Sequence, residues 1–335
     1  MERSNGGRGV ARVLGKLENS IQEGNFYEAH QMYRTLFFRY SGQNKVDDCL
    51  SLLHSGAKLF LEKEQYSSGA DLILLLLTTL GKRSKPEKEE IDEWVEKLGN
   101  LIGKMKPTVV ERQDIITKSI QWAFEVSKSY ATPLLHKKIG QILWTEGSFL
   151  QARKHILLSK EGVTSGRMLV AFSTASGYKT EIDLIITQFI LQQLCALKEP
   201  EVSEITFKTY TLNHPDIKKS APPFNLALLN FLWFLIELVK QQAVREAVFK
   251  KIVELYKPSL DRDPEFKVYL EKIGRIYFNI QEPAQNRNGP LSGLFGEVFN
   301  SFMRGLNEGD DDIFGESGDE ESTVTIMANN GSEVD

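Results

Sequence analysis

The sequence predicts an all-α fold: a right-handed α-solenoid of antiparallel helix pairs, with a disordered acidic tail at its C-terminus. Three observations lead there. Apolar residues recur at helical spacing between short polar breaks, alternating strand patterns are nearly absent, and alanines return at a fixed interval along the chain. All eleven prolines lie in or beside the breaks, and the first 85 residues contain none. Proline disrupts a helix interior but suits its first turn, so these residues punctuate a row of helices.

In chain order, Val10, Val13, Leu14, Leu17 and Ile21 set a first helix, and Glu23-Gly24-Asn25 turns the chain. Phe26, Ala29, Met32, Tyr33, Leu36, Phe37 and Tyr40 repeat the pattern before Ser41-Gly42 ends it. Further helices are predicted near 44–61, 66–80, 87–105, 109–128, 133–145, 148–160, 165–176, 179–197, 201–213, 223–239, 243–256 and 264–279. Short turns between them imply antiparallel neighbours. Phe26 to Ala29, Tyr66 to Ala70 and Phe149 to Ala152 each place an aromatic residue three or four positions before an alanine. Those alanines are 41 and 82 residues apart, one and two periods of a tetratricopeptide-like helix pair. The intermediate copy, expected near position 111, is not recognisable.

The expected organisation is a flexible N-terminus over 1–9, a solenoid over 10–280 with halves of about 10–160 and 161–280, and a C-terminal stretch over 281–335. Residues 304–335 carry ten acids and one base, a charge of −9, whereas the preceding 303 residues carry +5. Such a tail is either a solvated solubiliser or a contact for the basic body or a partner. Before it, Leu291, Leu294, Phe295, Val298, Phe299, Phe302, Met303 and Leu306 form an amphipathic stripe. That stripe docks on its own body, on a partner, or on a membrane surface, the last fitting poorly with an acidic tail. The most apolar run, Phe224 to Ile236, is too short for a bilayer span, which needs about 20 residues. No secretory signal opens the chain, and two cysteines, Cys49 and Cys195, suit a reduced cytosolic setting.

Catalytic constellations are missing. His30, His54, His136, His155 and His214 are well separated, no Cys-x-x-Cys pair exists, and no phosphate-cradling glycine loop is present. Ser55-Gly56-Ala57-Lys58 matches Ser-x-x-Lys without its companion motifs. A body charge of +5 is weak for nucleic acid. The expectation is therefore a protein-binding chain without catalytic, cofactor or metal residues, with no nucleic-acid partner and no direct insertion into membrane. An enzyme with an unfamiliar all-helical site and a generic tetratricopeptide-like peptide clamp are the rival readings.

The block Glu23-Gly24-Asn25-Phe26-Tyr27-Glu28-Ala29-His30-Gln31-Met32-Tyr33, continuing to Tyr40, resembles the N-terminal signature of the Golgi-to-ER traffic protein 4 family. Pro222-Pro223-Phe224, Leu228 to Leu235, Tyr256 to Leu260 and Arg262-Asp263-Pro264 resemble its C-terminal half. The resemblance spans about 10–280; the linker and tail carry none of it. It implies a non-enzymatic cytosolic adaptor in post-translational targeting of tail-anchored proteins to the ER and in quality control of failed clients. Its N-terminal half would dock a targeting ATPase. Its C-terminal half would hold a ubiquitin-like adaptor and a large BAG-domain chaperone scaffold, whose nuclear localisation signal it would mask.

On that reading Arg12, Lys16, Arg34 and Arg39 form a positive patch for an acidic ATPase surface, with plain solubility as the alternative. The helix 223–239, with Trp233 on its second face, is apolar nearly all round. Either a partner or the neighbouring helices must cover that second face.

Overall fold

In the computed structural model the described residues are 13–280, apart from 14, 18, 84–85, 219–220 and 242–244. The expectations for 1–9, Arg12 and 281–335, including the 291–306 stripe, lie outside them. The described residues are helical throughout, without strands. A helical stretch ending at Gln22 leads into α1 (Phe26–Gly42), α2 (Val46–Glu62), α3 (Tyr66–Leu80), α4 (Lys88–Lys104), α5 (Glu111–Ser127), α6 (Ala131–Thr145) and α7 (Phe149–Leu158). There follow α8 (Gly162–Ser176), α9 (Ile182–Leu197), α10 (Pro200–Asn213), α11 (Ala227–Lys240), α12 (Glu246–Leu255), the single turn α13 (Lys257–Leu260) and α14 (Glu265–Phe278).

Two of the boundaries that differ from the sequence expectation do so for a visible physical reason. The helix expected from 223 starts at Ala227, because Asn230 reaches back to Phe224. Its Oδ1 accepts the Phe224 N–H at 2.8 Å and its Nδ2 donates to the Phe224 carbonyl at 2.9 Å. Both peptide groups of Phe224 are thus satisfied outside the helix. The segment expected at 243–256 ends at Leu255, and Pro258 then sits in the first turn of α13.

Most helices pack on the next, on the next but one, or on both, the contact pattern of a two-layered solenoid. One core cluster runs from Leu17 to Ala152 and a second from Ile156 to Phe278, with Trp144 packed against both. Ala29, Ala70 and Ala152 are all within 1% of complete burial, where adjoining helices meet. The period also appears as charge. Lys104 donates to Glu62 at 3.0 Å, Lys106 to Glu64 at 2.9 Å and Lys138 to Glu96 at 2.5 Å, each pair 42 residues apart.

The copy missing near 111 is present in the backbone as the start of α5. Its second residue is Arg112, 5% exposed, whose guanidinium donates to both carboxylate oxygens of Glu146 at 2.9 and 2.6 Å. A buried ion pair replaces the aromatic–alanine signature there.

The C-terminal half closes on itself. Helix α14 returns to α9, where Gln192 Nε2 donates to Tyr269 Oη at 2.8 Å and Gln188 Nε2 to Glu265 Oε2 at 3.1 Å. Arg262 donates to buried Asp183 at 2.7 Å and to the Thr180 carbonyl at 2.6 Å. Helices α8 and α10 approach so closely that a Cβ on Gly162 would sit 2.7 Å from the Val202 carbonyl oxygen. One on Gly166 would sit 2.8 Å from that of Thr206.

Backbone carbonyls cannot step aside as side-chain ends can. Gly166→Val is therefore expected to destabilise by at least about 1–3 kcal/mol. At Gly103 a methyl group would meet Ile142 at an ordinary 3.8 Å. Gly103→Ala should accordingly be neutral or stabilising by up to about 1 kcal/mol. Urea unfolding of both variants checks the contrast; equal effects would contradict the close approach.

A histidine pair joins α6 to α7. Nδ1 of His136 and Nδ1 of His155 are 2.8 Å apart, so one ring donates there while the other accepts. Burial depresses both pKa values below the ordinary 6.5, reinforced at His136 by the charge of His155 and at His155 by that of Lys154. Unfolding lets both rings bind protons, so stability is complete above 6.5 and is lost as pH falls below it toward the depressed folded values. The thermal midpoint should fall between pH 7 and 5, and fall less in His136→Leu/His155→Leu. Parallel curves for the two proteins would exclude the pair as the cause.

Candidate interaction surfaces

The N-terminal surface is built on α1. The stripe Ala29, Tyr33, Leu36 and Phe37 is buried, which turns Tyr27 and Phe38 outward, 79% and 58% exposed. Sequence reasoning passed over these two aromatics, though their positions off the stripe are the signal that exposes them. Of the four cations expected here, Arg12 lies outside the described residues and Lys16 is exposed.

Arg34 is engaged within the chain. Its Nη1 donates to both carboxylate oxygens of Asp71 at 2.8 and 3.0 Å, and His30 Nε2 meets the same carboxylate at 2.8 Å. Arg34 thus ties α1 to α3, with its guanidinium 5.9 Å from the Phe38 ring centre. Arg39 is half-buried in the last turn of α1, where a cation complements the helix dipole.

The C-terminal surface adjoins α11. Leu228, Leu229, Phe231, Leu232, Leu235, Ile236, Leu238 and Val239 are all buried by the chain itself. Both faces expected to need cover therefore receive it from α9, α10, α12 and α13. Phe234 remains 42% exposed and Trp233 half-buried, their rings 5.0 Å apart. Trp233 and Ile236 line a cleft of about 170 Å³ with Phe207 and Phe224. On its rim, hydrogen bonds from Lys208 and Lys240 hold the Glu204 carboxyl below the usual carboxylate range. Across Phe224 lies a second cleft of about 240 Å³, with Ile182, Leu226 and Leu229 on its walls and Lys179, Asp216 and Lys218 at its mouth.

These clefts offer apolar walls and rim charges rather than reacting groups. Among the described residues no three side chains are grouped to hold a metal ion, and no helix is long and apolar enough to cross a membrane. Burial pushes both thiols up, that of Cys195 to about 12. Ser55 donates its hydroxyl to the Leu52 carbonyl.

The family model described as Golgi to ER traffic protein 4 matches residues 43–299. The chain is 40% identical over 315 residues to the Golgi to ER traffic protein 4 homolog of Xenopus tropicalis, covering 94% of this chain and 93% of that one. It is 40% identical over 310 residues to the Homo sapiens homolog, covering 92% and 91%. The crystal structure of C. therm. Get4 matches with a TM-score of 0.71 at 24% identity, over 87% of this chain and 95% of that one. That likeness establishes the helical-solenoid fold. The matched region begins after the 23–40 block and extends past residue 281, so the expectation that nothing beyond 280 carries the family pattern is corrected.

The burial pattern of α11 orders its aromatic residues. Phe231 is fully buried, and Phe231→Ala should cost about 3–5 kcal/mol. Trp233→Ala should cost less, because the indole is only partly buried, on the wall of the cleft. Chemical denaturation of the two variants measures the order, and a larger cost at Trp233 would contradict it.

Proposed function

The chain belongs to the Golgi to ER traffic protein 4 family, and on that premise we propose that it is a non-enzymatic adaptor in targeting tail-anchored proteins to the ER membrane. In this reading the N-terminal half receives a targeting ATPase. The C-terminal half holds a ubiquitin-like adaptor and a BAG-domain chaperone scaffold, which it retains in the cytosol by covering the scaffold's nuclear localisation signal. Clients pass from the scaffold to the ATPase, and failed clients are sent to degradation.

Near-full-length similarity to relatives carrying the Golgi to ER traffic name supports the reading most. The form of the molecule is consistent with it. A solenoid presents separate surfaces on its two halves, Tyr27, Phe38 and Lys16 on the first, Trp233 and Phe234 on the second. Pull-down of the full chain from cytosol, with stoichiometric partners identified, tests it; absence of an ATPase, a ubiquitin-like protein and a BAG-domain protein would overturn it.

Charge reversal separates the cations. Lys16→Glu should slow ATPase association at low salt and leave stability unchanged, since rim charges act mainly on encounter. Arg34→Glu should in addition lower the thermal midpoint by placing a second carboxylate against Asp71. Stopped-flow association at two salt concentrations reads the first effect; an unchanged rate for Lys16→Glu would remove that residue from the surface.

A further inference from the structure

Helix α12 carries an exposed apolar edge beside the charged residues Glu246, Lys250, Lys251 and Glu254 of its outer side. Of its ten residues only Phe249 is fully buried. Val248 and Leu255 are 43% and 64% exposed, and Ile252 lies half-buried between them. The three stand at i, i+4 and i+7 on one stripe. It runs on to Tyr256, whose ring lies 6.5 Å from that of exposed Phe234.

The described chain ends beside that helix. Ile280 and Phe249 both crowd Gly274, 3.3 and 3.4 Å from where its Cβ would be. Residues 281–290 then lead to Leu291 and can reach as far as about 35 Å, whereas α12 is only about 15 Å long. The stripe of 291–306 follows, with Phe295, Phe299 and Phe302 at the same i, i+4, i+7 spacing as Val248, Ile252 and Leu255. The family match extends into this stripe, to residue 299. Charge also agrees in sign: residues 304–335 carry −9, and residues 245–257 hold Arg245, Lys250, Lys251 and Lys257 against Glu246 and Glu254. Lys250, Lys251 and Lys257 pair with Glu246, Glu254 and Asp261 in the described chain, exposed pairs that are individually weak and exchangeable. So short a tether gives an effective concentration on the order of millimolar, enough for a modest apolar contact.

We propose that residues 291–306 dock on the Val248–Ile252–Leu255 stripe of α12, with the acids of 308–321 beside Lys250, Lys251 and Lys257. The contact is an intramolecular cover, and a partner using this side of the C-terminal half must displace it. It adds to a folded body, so deleting 288–335 leaves the thermal midpoint nearly unchanged. The inference does not rest on the partners proposed above, and its test requires none of them.

The test is hydrogen exchange over 246–255 in the full chain and in Phe295→Asp/Phe299→Asp/Phe302→Asp. Several-fold faster exchange is expected there in the variant, with 66–80 unchanged. A synthetic 288–320 peptide added to the chain ended at 287 should restore protection, and high salt should weaken it. Equal exchange over 246–255 in the full chain and the triple variant would overturn the proposal. Protection that grows with protein concentration would overturn it as well, by assigning the stripe to a second copy. Loss of protection at α1 instead of α12 would place the segment elsewhere and do the same.

Discussion

Close approach of helix backbones at small residues is the constraint on which this solenoid is laid out. Ala29, Ala70 and Ala152 are sealed between adjoining helices, and Gly162 and Gly166 leave no room for a side chain against α10. The distance between packed helices is set by the side chains at the contact. With a small residue there, the large ones on either side, such as Leu53, Phe60, Leu72 and Ile73, interdigitate instead of colliding. Repeating that contact every forty or so residues repeats the same helix-pair geometry, and a two-layered stack follows.

Apolar packing of this kind is tolerant of sliding, because one leucine ridge resembles the next. Polar pairs between repeats are not. The exposed pairs Glu62–Lys104 and Glu96–Lys138 contribute little energy individually, roughly 0–1 kcal/mol, but a slip of one helical turn breaks them all together. The Arg112–Glu146 pair is different in kind. It is nearly excluded from solvent, so removing one partner strands a buried charge at a cost of about 3–5 kcal/mol. Where the small-residue contact lapses at α5, a directional contact fixes the alignment in its place. At the far end the hydrogen bonds between α9 and α14 do the same over a sequence distance of 77 residues or more.

Helix number and order were legible because proline and polar turns separate the apolar stripes, and both are local properties. What was not legible depends on residues far apart. The start of α11 is set by the clasp of Asn230 on Phe224, which looks in sequence like one more helical residue. The third repeat was hidden because Arg112 and Glu146 are 34 residues apart and neither is apolar. The resemblance in the C-terminal half rested partly on such structural residues. Arg262 anchors Asp183, and Asp263 accepts the Glu265 N–H at the start of α14, so these positions hold the fold together without touching a cleft. Trp233 was placed correctly on a distinct side of α11, but its partial burial is decided by α10 and the loop at Pro222, which no periodicity reveals.

The candidate cations show how a repeat can separate structural from available charge. Arg34 and Lys16 look alike in sequence, each a base on an amphipathic helix near apolar neighbours. They differ in what stands one repeat later. Next-but-one helices in the first layer join through residues 37 to 44 apart, as in Arg34–Asp71, His30–Asp71 and Ser67–Glu111. Thirty-seven residues after Arg34 the chain supplies an aspartate, and the solenoid takes that arginine for itself. The same window after Lys16 covers Leu53 to Phe60, which contains no acid. Its ammonium, exposed on the helical stretch before α1, has no carboxylate at the sequence distance where this architecture makes its own ion pairs. An acidic surface from outside the chain would meet no internal competitor of that kind there.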